Sequence, residues 1–146
     1  MMQKIKRLQW DSKFSVGFDE LDEQHKKLFE IINKAMGAYE TQSKDLIGIF
    51  TELSDYLGYH FMSEENIMAE IRYPGREQHH LKHQEFIKKF IGFLDDYESG
   101  KDKIALNLLI FLRDWLFEHV LKNEDPGYSK FYKKSQNKEN PDSKLT

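Results

Sequence analysis

The sequence contains no cysteine, which removes disulfides, iron–sulfur clusters, thiolate zinc sites and thiol nucleophiles together. Only three prolines and eight glycines punctuate its 146 residues, and β-branched runs are scarce, so little breaks a helix and little favours a strand. No stretch approaches the ~20 apolar residues of a membrane helix. Met1 to Asp11 carries Lys and Arg without the apolar run of a signal peptide. Charge of one sign is lacking as well: Lys+Arg 22 faces Asp+Glu 25, a weak mixed field that gives nucleic acid no purchase. The length suits one domain with one core. A soluble, cytoplasmic, single-domain protein without a membrane or nucleic-acid partner is the expectation.

Apolar residues recur at steps of three and four along four stretches. About Asp19 to Tyr39 the stripe is Leu21, His25, Leu28, Ile32, Ala35 and Tyr39; about Lys44 to Glu70 it is Leu46, Ile49, Leu53, Leu57, His60, Glu64, Ile67 and Ile71. About Gly75 to Glu98 it is His79, His83, Phe86, Phe90, Phe93 and Tyr97, and about Lys103 to Lys122 it is Ala105, Leu108, Leu112, Trp115, Leu116 and His119. Turn chemistry separates them at Thr41–Ser43–Asp45, Tyr73-Pro74-Gly75 and Ser99-Gly100. Short connections make neighbours antiparallel, so the fold predicted is all-α, an up-down-up-down antiparallel four-helix bundle. Trp10, Phe14, Val16 and Phe18 form an N-terminal apolar arm to pack across it. After Pro126-Gly127, Tyr128 to Lys134 reads as a short C-terminal helical segment, and residues 135–146 as a polar, mobile tail.

The chain has six histidines, and all but His80 fall on core-facing stripes. One histidine on an apolar face is ordinarily a hydrogen-bonded core residue. A core that gathers His25, His60, His79, His83 and His119 needs something central to offset their desolvation, and a metal cation does that. His60 and Glu64 form H-x3-E, and His79 and His83 form H-x3-H; each pair lies one helical turn apart on one face and can chelate. In an antiparallel bundle all of these fall near one end. Either Glu124 or Asp125, just beyond His119, adds a second carboxylate to Glu64. Seven ligands exceed what one transition-metal ion takes but suit two ions bridged by carboxylates, with solvent supplying a further bridge. Three histidines plus three bridging atoms fill six positions on one ion. Two histidines plus the same bridges leave the other an open place for a small ligand. His80 reads as a solvated surface residue.

Trp10, Phe14, Val16 and Gly17, the run Leu21-Asp22-Glu23-Gln24-His25-Lys26 with Leu28, the segment His60-Phe61-Met62-Ser63-Glu64, His79-x3-His83 and Asp114-Trp115-Leu116-x2-His119 together resemble the hemerythrin family, above all its single-domain bacterial members, across about residues 8–132. The resemblance implies a hemerythrin-like di-iron four-helix bundle over residues 1–134, with two iron ions and a bridging oxo or hydroxo group. It assigns His79, His83 and His119 to the saturated iron and His25 and His60 to the iron that takes dioxygen, with Glu64 bridging. Trp115 and Leu116, together with Phe61 and Leu28, would line the oxygen pocket and exclude water. The family ends its pattern with H-x4-D. Here that distance from His119 reaches Glu124, which is favoured as the second bridge, with Asp125 the alternative because Pro126 can turn it out of helical geometry.

The function so implied is reversible dioxygen binding for storage, transport or delivery, without catalysis. The alternative is oxygen, redox or iron sensing at the same centre; a di-iron oxidase is less favoured, because only Glu77-Gln78-His79-His80 spells the E-x-x-H motif such enzymes use twice. The ligands alone would also accept copper or zinc, so iron follows from the resemblance. Dioxygen is the expected partner, and an electron-transfer or oxygen-accepting protein is a further candidate partner.

Overall fold

The stripes become the inner faces of long helices in the computed structural model of the chain, which describes residues 5–122 and 124–139, with the side chains of 124 and 137–139 outside the description. Four helices follow in order: α1 (Asp19–Glu40), α2 (Ile47–Glu70), α3 (Arg76–Glu98) and α4 (Ile104–Trp115), the last running on as a π-helical segment (Leu116–Lys122). A fifth, α5 (Glu124–Glu139), completes the chain as described. Lys27 near the start of α1 pairs with Glu52 of α2 at 2.7 Å, while His25, still nearer that start, meets Glu64 toward the far end of α2 at 3.4 Å. These contacts fix α1 and α2 as antiparallel, and α3 and α4 alternate in the same way, since both the start of α3 and the end of α4 return to Glu64.

Acidic residues Asp19, Glu20 and Asp22 occupy the first turn of α1, where they complement the helix dipole. The ends of α1, α2 and α3 share one device. In each, the residue after the C-cap is left-handed (Gln42 at φ 55°, Arg72 at φ 57°, Gly100 at φ 73°). The next N–H then turns back to a carbonyl five residues earlier, as Tyr73 N–H does to Met68 O at 2.9 Å. Only Gly100 adopts that conformation without steric cost.

Leu28, Ile31, Ile32, Leu53, Phe61, Phe86, Leu108, Leu112 and Leu116 fill the interior. The N-terminal arm lies across it as expected: Trp10 packs edge to face on Phe14 and Phe29, which are tilted against each other, with ring centroids 5.5–5.8 Å apart, and Leu8 exchanges hydrogen bonds with the Asn33 carboxamide at 2.8 and 3.0 Å.

Two features depart from the sequence expectation. The fourth helix does not continue as one α-helix to residue 122; its last seven residues are π-helical, a geometry that amphipathic periodicity does not signal and that recurs at functional sites. The C-terminal segment also exceeds the expected Tyr128–Lys134, because Pro126 sits in the first turn of α5 and not at a break. A proline there forfeits no intrahelical hydrogen bond. Of the expected tail, 135–139 is helical and the rest lies outside the described residues. Tyr128 of α5 buries its ring against Val16, Leu21 and Met68, forming a small second core at one end of the bundle. Gly127 makes this docking possible, since a Cβ there would come within 2.6 Å of the Tyr73 hydroxyl. Among the described residues no helix is long and apolar enough to cross a membrane.

Candidate metal centre

All five core-facing histidines predicted from the stripes, together with Glu64, meet at the α5 end of the bundle, and every one is buried. Among the described side chains the second carboxylate that joins them is Asp125, fully buried. Glu124, which the sequence favoured, has its side chain outside the described residues. The π-helical stretch gives the reason for the later position: an i→i+5 turn takes up one residue more than an α-turn, so a side chain beyond the regular helical count from His119 reaches the cluster. His80 is exposed and pairs with Glu65, as a surface histidine would.

The carboxylates organise the cluster into two halves. Glu64 Oε1 lies 2.8 Å from His79 Nε2, 2.9 Å from His83 Nε2 and 3.8 Å from His119 Nε2. Its other oxygen, Oε2, lies 3.4 Å from both His25 Nε2 and His60 Nε2. Asp125 divides its oxygens in the same sense, Oδ1 standing 3.1 Å from His79 Nε2 and 3.3 Å from His119 Nε2, and Oδ2 standing 3.0 Å from His25 Nε2. Two donor groups result, Glu64–His79–His83–His119 and His25–His60–Glu64–Asp125, each with its ligand atoms within 4.8 Å of one another.

Partners behind the imidazoles hold the ring nitrogens in the required sense. His60 donates from Nδ1 to Gln24 Oε1 at 2.6 Å, and His83 from Nδ1 to Glu65 Oε2 at 3.0 Å, so in both rings the lone pair is left on the inward Nε2. Gln24 is itself oriented by donating to Ser63 Oγ at 3.1 Å. The Tyr128 hydroxyl donates to Glu64 Oε2 at 3.0 Å. Aromatic rings flank the cluster: Phe61 stacks on His83 with centroids 3.8 Å apart, Trp115 on His119 at 3.8 Å and Tyr56 on His60 at 5.0 Å. Leu28 and Leu116 are buried in the adjoining core. Gln24, Glu65, Tyr56 and Tyr128 are the site residues that the sequence reading missed. Tyr56 stands one turn before His60, and that i, i+4 relation was the available signal.

The electrostatics are those of a site built around positive charge. Burial pushes the His25 imidazole toward neutrality, but pairing with Asp125 and Glu64 outweighs it and its pKa rises to about 9. His79 rises to about 10 against the same opposition from burial, and His83 is also raised. His60 goes the other way, burial dominating. Burial would raise Glu64, yet the charge of His60 and the surrounding imidazoles hold it well below the usual carboxylate range. Burial and the neighbouring Glu64 and Asp125 charges keep Tyr56 protonated.

Two observations test whether a metal pair fits. Both Asp125 oxygens are buried without an aligned hydrogen bond, although imidazole nitrogens stand close by, an arrangement that is costly for a carboxylate and natural for a metal ligand. His83 Nε2 and His119 Nε2 face each other at 3.2 Å, which calls for a shared proton or a cation between them, since Nδ1 of His83 already carries its hydrogen toward Glu65. Five imidazole nitrogens and four carboxylate oxygens in two groups fit two first-row transition ions.

Comparison with known proteins gives the family. The family model described as the hemerythrin HHE cation binding domain matches residues 16–128, from the end of the N-terminal arm to the tyrosine that touches Glu64. The chain belongs to the hemerythrin family. It is 34% identical over 121 residues to a bacteriohemerythrin of Clostridium acetobutylicum, covering 79% of this chain and 94% of that one. A bacteriohemerythrin of Stenotrophomonas maltophilia is 31% identical over 123 residues, 84% of this chain and 79% of the relative. A hemerythrin-like protein of Naegleria gruberi is 34% identical over 119 residues, 82% and 88% respectively. In this hemerythrin the matched span takes in every residue of the two donor groups.

Proposed function

We propose that this hemerythrin holds two iron ions and binds dioxygen reversibly, with His79, His83 and His119 on one iron, His25 and His60 on the other, and Glu64 and Asp125 bridging. The observation that carries the reading is the division of both carboxylates, Oε1 and Oδ1 toward the three-histidine group and Oε2 and Oδ2 toward the two-histidine group. When bound, the iron pair supplies the electrons that make attachment of dioxygen reversible. The unequal histidine count leaves room for a small ligand beside His25 and His60. Gln24 and Glu65 hold the imidazoles of His60 and His83 in the ligating tautomer, a support whose loss typically weakens metal binding. Phe61 and Trp115 cover the three-histidine end, while Leu28 and Leu116 keep the surrounding core dry.

The imidazole-rich donor set supports a binding protein in preference to an oxidase, which would draw on more carboxylates than Glu64 and Asp125, the two that the donor groups hold among the described residues. The test is the visible spectrum of protein loaded with ferrous iron without air, then oxygenated, then purged with inert gas. Colour that appears with oxygen and bleaches on purging is expected. Absence of colour, or colour that persists through purging, would overturn reversible binding.

A further inference from the structure

One polar group at the two-histidine end has no task in this account. Tyr56 is buried, and its hydroxyl has no hydrogen-bond partner among the described residues. A buried hydroxyl left unmade is destabilising, so its retention at this place points to a partner that arrives with function. The ring is fixed beside His60, nearly parallel to the imidazole at 16°, and helical spacing places it one turn from that ligand. Its neighbours are already committed, the Gln24 carboxamide to His60 and Ser63. Of the aromatic residues that the sequence offered as pocket walls, Trp115 stacks on His119 and Phe61 stacks on His83 and is tilted against His60; neither carries a hydroxyl. Outside Tyr56 opens a cleft of about 520 Å³ between α1 and α2, lined also by Gln24, Lys27, Glu52 and Tyr59. Tyr56 therefore forms part of the wall between solvent and the end of the centre with fewer histidines.

We propose that the Tyr56 hydroxyl donates a hydrogen bond to the small acceptor ligand, dioxygen or an anion of similar size, that occupies the two-histidine end. The inference rests on the dioxygen-binding reading of the site and deepens it, because it names the group that slows release of the ligand.

The test compares the full chain, iron-loaded, with its Tyr56→Phe variant, which keeps the stack on His60 and removes the oxygen alone. Iron content, the melting temperature of metal-free protein, azide affinity of the oxidised form and the dioxygen dissociation rate are measured on both. The variant is expected to keep its iron, to melt without metal no lower than the parent, to bind azide about fivefold more weakly and to release dioxygen about fivefold faster, the scale of one neutral hydrogen bond. Equal azide affinity and release rate at equal iron content would overturn the assignment and leave the dioxygen reading standing. A lowered metal-free melting temperature, or lost iron, would show that the hydroxyl already has a structural partner and would overturn it too. An iron-loaded parent that binds neither azide nor dioxygen would overturn both readings.

Discussion

Replacing Tyr128 by Phe removes one oxygen and one contact. Its ring would stay packed against Val16, Leu21 and Met68, tilted against Phe18 at 6.2 Å, so the change isolates the hydroxyl's 3.0 Å bond to Glu64 Oε2. Donor and acceptor are both buried, and the acceptor is a carboxylate whose ionised form the surrounding imidazoles favour. Hydrogen bonds to charged groups contribute roughly 1.5–3 kcal/mol, and here no water can replace the lost donor. At about 3 °C per kcal/mol for a domain of this size, the metal-free variant should melt roughly 5–9 °C below the parent. Chemical denaturation followed by helical circular dichroism gives the same free energy independently. Tyr132→Phe, which alters a half-buried ring tilted against the same Phe18 at 4.8 Å, is the control. A Tyr128→Phe loss no larger than that of Tyr132→Phe would refute the claim that α5 is tied to the bundle through Glu64.

Further outcomes follow from the same coordinates. Asp125→Asn should leave about one iron per chain while Glu124→Gln keeps two, as measured by metal analysis after reconstitution; the reverse result would restore the expectation from the H-x4 spacing. His25 and His79, with pKa values raised from 6.5 to about 9 and about 10, hold their protons at pH 7 in metal-free protein, and a metal needs those same nitrogens. Ferrous loading in weakly buffered solution should thus release about two protons per chain, read with an indicator dye. The corresponding ion pairs stabilise the metal-free fold fully below about pH 6.5 and are lost as pH climbs through about 9 to 10; a metal-free melting temperature that rises over that interval would contradict the assignment. Arg72→Gly relieves a left-handed residue at φ 57° and should stabilise the chain by roughly 0.5–1 kcal/mol, measured by denaturant titration.

Much of the site was legible because its ligands lie on the same stripes that make the core. His25, His60, Glu64, His79, His83 and His119 each interrupt an apolar face at helical spacing, and the antiparallel order then brings them to one end. The second carboxylate was legible only as a pair of candidates. Which of two adjacent residues turns inward depends on the π-helical stretch after Trp115, and a change in backbone hydrogen bonding from i+4 to i+5 leaves no mark in hydrophobic periodicity. The supporting groups were hidden for another reason. Gln24 and Glu65 each sit beside a ligand in sequence and look like ordinary surface polarity, and Tyr128 lies beyond a Pro-Gly pair that reads as a helix stop. Its burial against Val16, Leu21 and Met68 and its bond to Glu64, together with Asp125, show that α5 belongs to the site.

That arrangement sets a timetable for synthesis. The α1–α2 hairpin brings His25, His60 and Glu64 into the world early, whereas Asp125, which stands 3.0 Å from His25 in the folded chain, is made roughly 3–12 s after Glu64 at about 5–20 residues per second. Until then a nascent chain has no second bridge beside His25 and His60. At the two-histidine group too few ligands are in place until α5 docks and Tyr128 meets Glu64, so filling of that half becomes the closing event of folding. The last helix thereby completes the two-histidine half: a chain whose bundle has not formed correctly has nowhere for Asp125 to land, and that half stays without metal.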